Sequence, residues 1–162
     1  MDAKAYGSLS ERVWELLREA PAPHLRGVIM HLDTVAMLCE LIGLKRGLDA
    51  GICRSAGLLH DVWLFSHMPM DVETHRQHGY IGSEFAKDLL TANGGYSDGE
   101  IEIICRMIYN HNDKGEIHDE YSETLKDADS LQHYLNGSEY DKRYNYGGRD
   151  RKVLDEFMID VK

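Results

Sequence analysis

His60 and Asp61 stand side by side at the end of an apolar run, Leu58-Leu59-His60-Asp61-Val62-Trp63. An imidazole followed directly by a carboxylate offers one nitrogen and one oxygen ligand at one point in space. That pairing suits a divalent ion such as Mn, Fe, Zn or Ni. By itself a His-Asp pair is an ordinary helix end. Its meaning changes because His31 lies upstream, and His78, His111 and Asp129 lie downstream, each beside apolar residues on a different predicted helix.

Any one of these histidines can be read as a core residue that needs only a hydrogen-bond partner, and Asp129 as half of a salt bridge. Taken together, four histidines and two aspartates at the inner margins of five predicted helices need many partners at once. Leaving such groups unmatched in an apolar interior is costly. A shared metal site satisfies them together.

The elements that must position these residues are helices. Strand signals are scarce and apolar residues recur at three and four, so the chain reads as all-α, a compact single-domain bundle of about seven helices over residues 1–162. The first starts near Ser8, where Ser8 and Glu11 have capping-box spacing, and runs through Val13, Trp14 and Leu17 to about Ala20. The second begins near His24, carries Val28, Leu32, Val35, Cys39 and Ile42 inward, and is weakened at Gly43. A third spans about Asp49 to Asp61. Residues Val62 to Thr74 read as a loop, either a plain connector or one able to close over a site.

The fourth helix, about Thr74 to Thr91, places His78, Ile81, Phe85 and Leu89 along one face. Ser97 and Glu100 form a second capping box, and Ile101, Ile104, Ile108 and His111 then follow on one stripe. Asn112 to Tyr121 reads as a polar loop turned outward. A sixth helix from about Ser122 to Leu135 carries Leu125, Ala128, Asp129 and Gln132, and Tyr140 to Arg149 reads as a mobile segment. The last helix, Asp150 to about Val161, turns Val153, Leu154, Phe157 and Ile159 partly inward. Periodicity leaves Asp127 and Asp129 equal, since Asp127 lies four before Leu131 and Asp129 four after Leu125.

The order His31, then His60-Asp61, then Asp129 within Leu125-Lys126-Asp127-Ala128-Asp129-Ser130-Leu131 resembles the HD superfamily of metal-dependent phosphohydrolases. The likeness runs from roughly residue 25 to residue 136. It implies an all-helical fold with His31, His60, Asp61 and Asp129 as ligands of one divalent metal, and it selects Asp129 over Asp127. His78, followed by Gly79, and His111 resemble the additional ligands of a two-metal subset. Asp61 would then bridge an ion held by His31, His60 and Asp129 and a second held by His78 and His111. His75 is the nearest competitor for His78. With a single metal, His78 and His111 would contact substrate phosphate instead.

The cofactor implied is thus one or two divalent transition ions among Mn, Fe, Zn, Ni and Co. The reaction implied is hydrolysis of a phosphate ester or anhydride in a nucleotide or other small phosphorylated metabolite by metal-activated water, with His60 and Asp61 at its centre. Many relatives place a glycine and a charged residue after the His-Asp pair, whereas Val62-Trp63-Leu64-Phe65 is wholly apolar here. Proton transfer then falls to the activated water or to Asp127. Candidate phosphate contacts are Lys126, Arg54, Lys114, Arg143 and Arg149. Two alternatives share the ligand pattern: oxygen-dependent cleavage on two irons, and a noncatalytic metal- or nucleotide-binding sensor.

A formal net charge of −10 argues against nonspecific binding to nucleic acid or anionic membrane, both of which need an excess of Lys and Arg. A bound cation can still invert the field locally and admit a phosphorylated substrate. Cys39, Cys53 and Cys105 are odd in number and far apart, which predicts buried free thiols. Met1 to Gly7 lacks the basic start and apolar run of a signal peptide, and no stretch reads as apolar enough to span a bilayer, so a cytoplasmic location is expected.

Overall fold

The computed structural model describes residues 3–20, 25–137 and 148–158. Arg143, Ile159 and most of the segment from Tyr140 to Arg149 lie outside the described residues. Within them the chain is all-helical, as expected, with long helices at α1 (Ala3–Glu19), α2 (Leu25–Arg46), α3 (Ala50–Leu59), α6 (His78–Asn93), α7 (Asp98–Asn110), α8 (Glu120–Leu135) and α9 (Arg149–Glu156). Two five-residue helices, α4 (Val62–Ser66) and α5 (Val72–Arg76), occupy the stretch expected to be a loop. Val62 and Leu64 are buried, which anchors α4 to the core.

α8 is the axis of the bundle. Asp119 caps it by accepting from the Ser122 amide, so it begins two residues before the expected Ser122. Every residue from Thr124 to Gln132 is buried, because α2, α3, α7 and α9 all pack against it. A helix enclosed on all sides shows no apolar stripe. Periodicity therefore cannot separate Asp127 from Asp129.

α2 and α3 cross closely. A Cβ on Gly57 would sit 2.6 Å from the Ala36 Cα, and one on Gly43 would sit 2.5 Å from the Cys53 Sγ. Gly43 therefore lets the helices approach, and α2 runs past it to Arg46 where weakening was expected. α2 is also apolar on its outer face, where Met30, Met37, Leu41 and Leu44 are exposed. Against expectation, it is long and apolar enough to cross a membrane by length and composition; in this fold it packs on α3 and α8 and carries His31.

Other expectations needed adjustment. α1 starts at Ala3, so Ser8 and Glu11 lie inside it and form no cap. Its buried stripe of Ala5, Leu9, Val13 and Leu17 extends upstream, and the Asn93 amide bonds the Ala5 carbonyl at 3.0 Å. The expected box at Ser97 and Glu100 does form, with both reciprocal bonds. On α6 the buried face is Gly79, Gly82, Ser83, Ala86 and Leu90, rotated from the expected Ile81, Phe85 and Leu89. Small residues face α7 there because a Gly79 Cβ would lie only 2.8 Å from the Tyr109 carbonyl. Cys39 and Cys53 are buried free thiols, while Cys105 is only partly buried.

Candidate metal centre

The break between α3 and α4 sets the site. α3 ends at Leu59, leaving His60 and Asp61 in the turn before α4. His60 Nδ1 donates to the Gly57 carbonyl at 2.8 Å, which turns Nε2 toward α2 and α8. His31 from the buried side of α2 meets it, with the two Nε2 atoms 3.1 Å apart. Asp129 from α8 places Oδ1 3.8 Å from both nitrogens. A second trio lies alongside. His78 at the start of α6 and His111 at the end of α7 approach with Nε2 atoms 3.0 Å apart.

Asp61 joins the two trios. Its Oδ2 lies 3.5 Å from His60 Nε2 and 3.8 Å from His31 Nε2, while its Oδ1 lies 3.2 Å from His111 Nε2 and 3.4 Å from His78 Nε2. All six residues named from the sequence thus come together. His31, His60 and Asp129 form one group with ligand atoms mutually within 4.8 Å, and Asp61, His78 and His111 form another.

The imidazoles are oriented through their far nitrogens. Nδ1 of His78 donates to the His75 carbonyl at 2.6 Å, Nδ1 of His111 to the Ile108 carbonyl at 2.6 Å, and Nδ1 of His31 to Gln132 Oε1 at 2.9 Å. With Nδ1 committed as donor, a neutral ring presents a bare lone pair at Nε2. Two such lone pairs facing each other at about 3 Å repel unless a proton or a cation lies between them. Two imidazoles sharing a cation at about 2.1 Å place their nitrogens roughly 3 Å apart. Asp61 Oδ1 and Asp129 Oδ1 are buried without a hydrogen-bond partner. Four nitrogens and two carboxylates so arranged fit divalent transition ions.

Electrostatics point the same way. Burial pushes the His60 imidazole down to about 4, against the pull of Asp61 and Asp129. His78 is lowered by burial too. Burial opposes protonation of His31, yet the nearby carboxylates of Asp61 and Asp129 raise it overall. Burial alone would raise both carboxyls. The facing imidazoles instead hold Asp61 far below the carboxylate range, and Lys114 with His133 does the same for Asp129.

Other candidates find different places. The Lys114 ammonium is buried on Asp129 Oδ2, so the loop expected to turn outward folds in over the site. Asp127 has both oxygens taken by guanidinium groups, Oδ1 by Arg149 and Oδ2 by Arg46, each at 2.8 Å. It ties α8 to α2 and α9, and its geometry suits that better than carrying protons. Lys126 is fully buried and held by the Glu116 carbonyl, His118 and Glu123. Arg149 binds Glu123, Asp127 and the Lys114 carbonyl. Arg54 pairs with Glu40 at 3.1 Å and lies over the Tyr6 ring.

Three residues were missed. Gln132 orients His31, His133 sets Nε2 3.4 Å from Asp129 Oδ1, and Phe65 packs edge-on against His31 with ring centroids 5.7 Å apart. Spacing held a clue for His133, which lies one turn beyond Asp129. His75 contributes its carbonyl to His78 and its ring lies 5.3 Å away, between centroids.

The chain matches the HD domain over residues 28–134, a span that contains all six clustered residues. It is 30% identical over 134 residues to Ribonuclease Y of Mycoplasma capricolum subsp. capricolum, which covers 83% of this chain and 22% of that protein. It is also 30% identical over 92 residues to Ribonuclease Y of Lawsonia intracellularis, covering 57% of this chain and 15% of that protein. The chain therefore spans only a minor part of these curated relatives. No solved structure matches it.

Proposed function

Because the chain belongs to the HD domain superfamily of metal-dependent phosphohydrolases, we propose that it hydrolyses a phosphate ester of a nucleotide or short oligonucleotide, in the cytoplasm, at a centre holding two divalent ions. The observation that carries this reading is Asp61, which turns one oxygen toward each of two histidine pairs. In this reading His31, His60 and Asp129 would hold one ion, His78 and His111 would hold the other, and Asp61 would serve both. When bound, such ions supply a water acidic enough to ionise near neutral pH and offset charge on the phosphoryl oxygens.

The chain's own residues do the rest. The Nδ1 bonds fix each ring so that Nε2 alone faces the centre. Lys114, seated on Asp129, brings a positive charge to the edge of the site where a phosphoryl oxygen can meet it. Phe65 of α4 sets an apolar ring edge-on beside His31. The relatives' name, Ribonuclease Y, favours a phosphodiester over a monoester or anhydride. The net charge of −10 favours a short substrate over a long polyanion.

The test is elemental analysis of tag-free protein followed by assay against nucleoside monophosphates, cyclic and linear dinucleotides and short RNA, with Mn, Fe, Zn, Ni or Co supplied. Near two ions per chain, falling to near one in His78→Ala, with diester turnover lost in His60→Ala, is the expected result. No metal after reconstitution would overturn the reading. Oxygen uptake by the iron-loaded chain with substrate would transfer it to the oxygenase class. Tight nucleotide binding with no turnover would make it a sensor.

A further inference from the structure

The segment between α7 and α8, residues 111–119, has no regular structure and is rich in polar residues, yet Lys114 within it is only 8% exposed. Two buried cations from outside hold it. Lys126 of α8 donates to the Glu116 carbonyl at 2.9 Å and lies 2.6 Å from His118 Nδ1. Arg149, the first residue of α9, donates to the Lys114 carbonyl at 3.2 Å.

Arg149 is itself locked in place. One of its two terminal nitrogens reaches Glu123 Oε2 at 2.7 Å and Asp127 Oδ1 at 2.8 Å, while the second terminal nitrogen reaches the loop carbonyl. Asp127 is fixed in turn by Arg46 of α2, which also grips Glu156 of α9 at 2.8 Å. A continuous line of contacts runs from α2 and α9 through Asp127 and Arg149 to the backbone of Lys114. From there the lysine side chain reaches Oδ2 of Asp129, whose other oxygen faces His31 and His60.

We propose that Arg149 is a positioning residue: through the Lys114 carbonyl, α9 holds the Lys114 ammonium on Asp129, at the edge of the metal centre. The kinetic part of this inference rests on the reading above, in which Lys114 meets the substrate phosphate. The planar guanidinium is what the task needs, because one rigid fork spans two carboxylates on α8 and a carbonyl on the loop. An ammonium keeps the charge but loses that fork. Lysine at position 149 therefore separates charge from geometry.

The experiment uses the full chain loaded with Mn and compares wild type, Arg149→Lys, Lys114→Met and the double variant. Amide hydrogen exchange across residues 112–118 is followed beside KM and kcat for bis(p-nitrophenyl) phosphate. In Arg149→Lys the loop amides should exchange at least tenfold faster, with α2 and α3 amides and metal content unchanged. KM should rise about tenfold in both single variants, and the double variant should be no worse than Lys114→Met, since both act on one contact. Wild-type protection of the loop in Arg149→Lys, or KM effects that multiply, would overturn the proposal. If wild type shows no turnover, or Lys114→Met leaves KM unchanged, the phosphate-contact reading falls, and the exchange data still decide whether Arg149 holds the loop.

Discussion

Asp127 and Asp129 sit two residues apart on the same buried helix, and their surroundings are opposite. Asp127 has a guanidinium on each oxygen. Around it Arg46, Glu123, Arg149 and Glu156 form a frame joining α2, α8 and α9, and each of these side chains has an opposite charge against it. Asp129 has the Lys114 ammonium on Oδ2, while its buried Oδ1, like Asp61 Oδ1, faces imidazole nitrogens, His133 Nε2 at 3.4 Å among them. One region pairs its charged groups with one another, leaving only Arg149 Nε unbonded among the side chains of that frame, and the other turns carboxylate oxygens and histidine lone pairs toward a common point. Buried polar groups ordinarily find partners. The oxygens of Asp61 and Asp129, set among four histidines, fit a divalent cation.

The sharpest way to break this comparison is to remove the bridging carboxylate. Asp61→Ala should lower kcat/KM of the metal-loaded chain by at least about a thousandfold, with helix content by circular dichroism unchanged. Substantial turnover surviving in that variant would mean the two trios are not one centre. Asp127→Ala is the counterpart. It takes one carboxylate from each of two guanidinium groups, leaving Arg46 on Glu156 and Arg149 on Glu123, and should cost about 1.5–3 kcal/mol in urea unfolding, while metal content per folded chain stays as in wild type. If Asp127→Ala instead lost metal with little loss of stability, the assignments of the two aspartates would be reversed.

A third test uses pH on the metal-free chain. His60 has its native pKa lowered from 6.5 to about 4, and His78 is lowered as well. Between about pH 6.5 and pH 4 the unfolded state therefore binds more protons than the native one, so stability falls as pH drops through that window. For His60 alone the loss is up to about 3 kcal/mol. His31 is shifted upward, so its contribution is already complete below its unfolded pKa and adds little slope there. The urea midpoint should decline across the window in wild type and much less in His60→Asn. A flat wild-type profile would contradict a buried neutral imidazole at position 60. The smallest effect is expected at Arg54, whose side chain is 43% exposed and paired with Glu40. Arg54→Ala should change stability by about 1 kcal/mol or less and leave KM unaltered, and a tenfold rise in KM would return Arg54 to the substrate side.

The helices and the six clustered residues were legible because both leave local marks. His31, His78 and His111 each interrupt or end an apolar face, and His60-Asp61 is a contiguous pair. What escaped has no local mark. Nothing near Lys114 announces that its ammonium returns to Asp129, and nothing near Arg149 announces Glu123 and Asp127, because these are long-range pairs chosen by the packing of α8 against α9. Read locally, Lys126 and Arg149 look like surface charges available to phosphate. The fold buries both and commits them to Glu116, Glu123 and Asp127. Rotation of α6 escaped for a similar reason, since the small residues Gly79 and Gly82 win the inner face through backbone approach and not through hydrophobicity.

Gly57 has no side chain to bring to the site, yet it bears on how the site is spaced. It accepts the His60 Nδ1 bond through its carbonyl, and its bare Cα lets α3 lie directly on the backbone of α2 at Ala36. Those are the two helices that deliver His60 and His31. A single added methyl there would wedge the helices apart and spread the two imidazoles beyond a common bite. The spacing of His60 and His31 is thus set in part by a contact between main chains, away from the imidazoles themselves.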